Sequence, residues 1–151
     1  MSAAGFTLIE LLMVIVIMAI LAAVAGPPMG KLIANQRLRA TATDLHLALV
    51  KARTEAIKRN ADITVSPTGG VWTQGWAIVN PDNANKPLDL RGPVSSVSVT
   101  TTATQVVFRG TGRTTGASAA TFVFASTSSD STRCLSIDPS GRPYLKEGSV
   151  C

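Results

Sequence analysis

Few side chains in this chain can do chemistry, and the first is a carboxylate in an unexpected place. Glu10 sits inside an apolar run that opens with Gly5-Phe6-Thr7-Leu8-Ile9-Glu10 and continues from Leu11 to Ala25. An ionised group in such a run is costly unless a cation meets it, so Glu10 is a functional residue by default. A cut after Gly5 would free the α-amino group of Phe6 one helical turn from Glu10, or within reach of the Glu10 of a neighbouring chain. Two cysteines, Cys134 and Cys151, lie near the C-terminus, and the single histidine is His46. Their spacing fits no zinc site. In an exported domain they read as a disulfide closing a loop of about 17 residues, worth on the order of 3 kcal/mol; two free thiols are the alternative. Asp82, Asn83, Asn85 and Asp89 share a polar loop, but the spacing matches no EF-hand and lacks its closing Glu. No nucleophile with its base, no paired acids and no phosphate loop are visible, so the reading is a non-enzyme without metal or cofactor.

The elements that must position these groups follow from pattern. From Phe6 to Ala25 is 20 residues, roughly 30 Å as helix, the thickness of a bilayer core. A secretory signal is the competing reading, because Ala23-Val24-Ala25 offers a cleavage site before Gly26. The N-terminal Met1-Ser2-Ala3-Ala4 carries no Lys or Arg, unlike a signal peptide. A plain anchor with a tolerated Glu is a further alternative. Gly26-Pro27-Pro28 predicts a kink or short melted turn, since two prolines remove two backbone donors. Lys31, Arg37 and Arg39 follow the span and by themselves favour a cytoplasmic C-terminal side.

From Lys31 to Arg59 the period is helical. Leu38, Ala42, Leu45, Leu49, Ala52 and Ala56 form a stripe, which Leu47, Val50 and Ile57 are expected to widen. The stripe suits packing on a sheet; a coiled-coil partner is the alternative. His46 is expected at the rim. Lys58 and Arg59 favour the helix end, and Asn60 terminates it.

After Asn60 the period becomes strand-like. Expected strands are 61–66, 71–80, 94–101, 104–108, 121–125, 134–137 and an edge strand 142–146 containing Pro143. Trp72 and Trp76 are expected on one strand face as core anchors, and 81–93 as a loop. The fold class is therefore α+β, a long N-terminal helix on an antiparallel β domain. Its segments are a leader (1–5), an apolar helix (6–26), an amphipathic helix (27–60) and a β domain (61–151). The net charge of +5 permits salt-sensitive attraction to anionic surfaces without requiring nucleic acid.

Gly5-Phe6-Thr7-Leu8-Ile9-Glu10 resembles the type IV prepilin motif. The resemblance implies a pilin fold, cleavage after Gly5 by a prepilin peptidase, N-methylation of Phe6 and a role for Glu10 in assembly with other pilin subunits. It also implies a single-pass inner-membrane protein with a periplasmic C-terminal domain, extracellular once in a filament. The leader departs from related ones in lacking Lys or Arg. The segments 52–60, 72–76, Val107-Phe108-Arg109-Gly110-Thr111-Gly112-Arg113 and Ser140-Gly141-Arg142 look like the H/FimT-type subgroup of minor pilins and pseudopilins. That subgroup implies a priming role in a pilus or a type II secretion pseudopilus. Some of its members bind DNA through Gly-Arg-x-Arg near the C-terminus. Here Gly141-Arg142-Pro143-Tyr144 keeps the first Arg, and Tyr144 replaces the second. Lys146 is a candidate substitute charge and Tyr144 a candidate stacking group, with Arg109, Arg113 and Arg133 extending a basic surface.

Overall fold

A computed structural model describes residues 6–115 and 120–151, with residues 23–28 described by backbone alone. Two compact units divide the chain, Met1–Ile33 and Ala34–Cys151. One helix, α1 (Leu8–Arg59), runs through both. Its bounds include Gly26-Pro27-Pro28, so the melted turn expected there is absent from the described backbone. The helix closes on Asn60, whose φ is 48°. Asn60 N donates to Ile57 O and Ala61 N to Ala56 O. That pair of bonds is a Schellman motif with Asn60, the expected terminator, in the left-handed position.

In the first unit the described side chains from Phe6 to Leu21 are exposed, Leu8 at 80% and Leu21 at 63%. Among the described residues no helix is long and apolar enough to cross a membrane. Residues 23–28, which the sequence reading counts in or beside the span, have no described side chains.

In the second unit eight strands follow among the described residues: β1 (Ile63–Pro67), β2 (Trp76–Ile78), β3 (Asp89–Arg91), β4 (Val97–Thr101), β5 (Val106–Phe108), β6 (Ala120–Ser126), β7 (Thr132–Ile137) and β8 (Pro143–Glu147). They form two antiparallel sheets, β3-β2-β1-β5 and β4-β6-β7-β8. The short strand β3 falls where a loop is expected, and Pro143 opens an edge strand as anticipated. Trp72 is not on a strand: it lies in a 3-10 turn, because Gly75 at φ 100° interrupts the extended run. It is nonetheless buried, edge-to-face with Phe122 at 4.9 Å between ring centres. Its indole nitrogen donates to Ala103 O at 2.9 Å.

The core lies between both sheets and one face of α1. Leu38, Ala42, Leu45, Leu49, Ala52 and Ala56 are all buried, joined by Ala48. Leu47, Val50 and Ile57 do not widen this stripe; they are 57%, 39% and 52% exposed. At about 100° per residue each of the three stands one step around the helix from a buried position, Ala48, Leu49 or Ala56. Sequence shows them as apolar neighbours of the core stripe, but rotation places them outside it.

Two polar seams flank the buried stripe, each with residues seven apart. On one flank Arg37, Asp44 and Lys51 reach the edge strand β3 and its surroundings. Asp44 pairs with Arg91 at 3.0 Å and Lys51 with Asp89 at 2.7 Å. Arg37 approaches Ser96 Oγ at 3.5 Å, and Arg59 pairs with Asp82 at 2.6 Å. The carboxylates of Asp82 and Asp89 are therefore taken by helix cations. On the other flank Arg39, His46 and Arg53 reach β8 and the turn before it. Arg39 lies 3.9 Å from Glu147 and His46 Nε2 is 3.3 Å from Pro143 O. The carbonyl can only accept, so this nitrogen carries the proton in that bond.

Candidate functional site

The first candidate site is the start of α1. Thr7 Oγ1 accepts from Glu10 N at 3.3 Å, and Glu10 Oε2 accepts from Thr7 N at 3.2 Å. The Thr7 hydroxyl also donates to Glu10 Oε2 at 3.0 Å. Leu11 N donates to Thr7 O, closing the first turn. This is a capping box, a Thr-x-x-Glu pair in which each side chain satisfies the other's amide. The sequence reading singled out Glu10 for its charge and missed Thr7, although Thr-Leu-Ile-Glu before an apolar run is itself the signal. Gly5 lies outside the described residues, so the processing position is described only from Phe6 onward.

The second candidate site is built where α1 ends. The segment Arg109–Arg113 makes a tight turn: Gly112 N donates to Arg109 O, and Arg109 N to Arg113 O at 2.8 Å. Gly112 needs its positive φ of 76°, and a Cβ there would lie 2.7 Å from the Ile57 side chain. Gly141, at φ 82°, lies against the Gly112 carbonyl, where a side chain would collide with backbone. The two glycines thus bring the β5 turn and the β7–β8 turn into direct contact. Arg53 bridges both. Its Nε donates to Gly112 O at 3.0 Å and its Nη2 to Ser140 O at 3.3 Å.

Arg109, Arg113 and Arg142 stand exposed on these touching turns. Among the described residues none of the three enters an ion pair. Two acids lie nearby. Asp62 is exposed and precedes Ile63, the partner of Phe108. Asp138 is occupied locally, accepting from the Ser140 hydroxyl and from Arg142 N at 2.9 Å. These bonds, the hydroxyl first, hold its carboxyl below the usual range.

The six candidate DNA-contacting residues do not form one cluster. Arg133 pairs with Glu147 at 2.6 Å and its side chain is only 17% exposed. It sits at the other end of the β7–β8 hairpin from Arg142, on the face shared with Phe124. Tyr144 and Lys146 lie on the opposite, outward face of β8, with the Lys146 ammonium 5.2 Å from the Tyr144 ring centre. Only Arg109, Arg113 and Arg142 come together. Cys134 and Cys151 are bonded as expected, with Cα atoms 5.5 Å apart.

With this geometry in hand, comparisons locate the fold. Two crystal structures of the type IV minor pilin FimU from Pseudomonas aeruginosa strain PAO1, in space groups P21 and P65, superpose well. The first has a TM-score of 0.65 at 22% identity, covering 78% of this chain and 96% of FimU. The second has a TM-score of 0.63 at 22% identity, covering 75% and 98%. The fold is therefore the pilin fold. Residues 41–141 match the family model for type II transport protein GspH, and residues 1–26 match the prokaryotic N-terminal methylation motif. The chain belongs to the GspH family, whose members are pilin-like minor pilins and pseudopilins. Among curated proteins none matches the chain.

Proposed function

We propose that this protein is a structural subunit of a type IV pilus-type or type II secretion-type filament, added through its helix. The observation that carries this reading is the outward face of α1. In the second unit Leu47 and Val50 are exposed there, while Asp44, Lys51, Arg39 and Arg53 on the flanks turn their charges toward the β domain. In the first unit the apolar side chains from Leu8 to Leu21 are exposed as well. A helix apolar on its free side needs either lipid or other helices. Membrane insertion, cleavage after Gly5 by a prepilin peptidase and methylation of Phe6 precede assembly in this reading. The Phe6 amine and Glu10 then set the register between subunits. Replacing Glu10 with Ala is expected to leave membrane insertion intact and to remove the protein from sheared filaments. Undiminished recovery in those filaments would overturn the proposal.

A second reading, DNA binding, is favoured by one observation: three exposed arginines on two touching turns form no ion pair among the described residues. Arg109, Arg113 and Arg142 then contact phosphates, and Tyr144 and Lys146 lie two and four residues beyond. Arg133 drops out, because Glu147 holds it. Gel shifts at two salt concentrations test this, and no shift at low salt rejects it.

A further inference from the structure

We infer that Arg53 is the positioning residue of the anion-binding surface, holding the Arg109–Arg113 turn and the 138–142 turn as one rigid unit. The inference rests on the DNA-binding reading above and adds a residue that would touch no ligand. Three features point to it. Arg53 is the only side chain among the described residues that donates to backbone carbonyls of both turns, Gly112 O and Ser140 O. Its guanidinium has a fixed fork geometry, so two bonds from Nε and Nη2 set both distance and angle between the turns. The contact it spans is backbone against backbone, Gly141 on the Gly112 carbonyl. Asp138 fixes only its own turn, through Ser140 and Arg142 N.

Arg53 also stands at the end of a seam of residues spaced by seven, after Arg39 and His46. Those two anchor strand β8, whereas Arg53 anchors what β8 grows from. Placing the three guanidiniums in advance matters because ordering a mobile loop on a ligand weakens binding.

The test uses the full-length chain in nonionic detergent and a labelled 20-base-pair duplex, with anisotropy followed as a function of salt. Three phosphate contacts predict a slope of log affinity on log salt near about −3. Arg142→Gln is expected to lower its magnitude by about 1. Arg53→Gln keeps all three exposed guanidiniums, yet is expected to weaken binding about three- to tenfold. Arg53→Lys, which keeps one donor and the charge, is expected to fall between. Hydrogen exchange should show faster exchange at the Gly112 and Gly141 amides in Arg53→Gln, with β6 and β7 unchanged. If Arg109→Gln, Arg113→Gln and Arg142→Gln combined bind like wild type, the DNA reading fails and this inference with it. If the combined variant loses binding while Arg53→Gln keeps it, the inference alone fails. Loss of β6 and β7 protection in both Arg53 variants would make it a general stabilising residue and overturn the proposal.

Discussion

Thr7 and Glu10 cap one another: the Thr7 hydroxyl takes the Glu10 amide and the Glu10 carboxylate takes the Thr7 amide. The carboxylate at the head of the apolar run therefore has a local task within its own chain. Gln can replace Glu in a capping box, but carries no charge. Glu10→Gln is expected to keep the first helical turn, read as retained amide protection at Thr7 and Glu10, and to lose filament incorporation. Thr7→Ala is expected to weaken that turn by about 1 kcal/mol while keeping the charge. Equal incorporation of Glu10→Gln and wild type would show that the cap, not the charge, is what assembly needs.

The glycine contact at the end of α1 gives a stability prediction. Gly112→Ala and Gly141→Ala each add a left-handed cost of about 1 kcal/mol to a steric collision. Gly148 has a comparable φ of 98° but open space around it. Gly148→Ala is therefore the control and should cost only the conformational part. Urea midpoints of the three variants test this, and equal midpoints would remove the close approach as a determinant.

The Cys134–Cys151 bond closes a separation of 17 residues. Reduction is expected to destabilise the β domain by about 3 kcal/mol in the loop-entropy account. Urea unfolding with and without a reductant measures it. Cys134 is almost fully buried, so Cys134→Ala should cost more than Cys151→Ala, whose site is exposed.

Acidification gives a fourth test. Asp138 has a lowered folded pKa, first from the Ser140 hydroxyl and then from Arg142 N. A depressed carboxyl contributes stability that is complete above its unfolded value, near about 4, and is lost as pH falls through the lower folded value. Protection of the Arg142 amide should thus persist at pH 5 and fall at more acid pH. In Asp138→Asn that dependence should vanish; a fall of the same size in both proteins would assign it elsewhere.

The sequence carries the helix, its terminator Asn60 and most of the strands, because each of these is a local matter of period and turn residues. It does not carry what depends on rotation or on distant partners. Leu47, Val50 and Ile57 are apolar and adjacent to the core stripe, yet one step around the helix turns them outward. Strand β3 has only three residues, all exposed, and leaves no alternation to read. Arg53, Gly112 and Ser140 are far apart in sequence and meet only through tertiary contact. The basic candidates looked alike as residue types; pairing with Glu147 is what separates Arg133 from Arg142.

The two seams of α1 have a consequence for the filament proposed above. One rim of each sheet, β3 and β8, is tied to the helix by side chains, and Asp89 Oδ1 accepts the amide of Leu90 at 2.9 Å. Sheet rims left bare are templates for strand addition between crowded copies. Helix side chains on these two rims disfavour strand addition at β3 and β8 between copies in the filament proposed above.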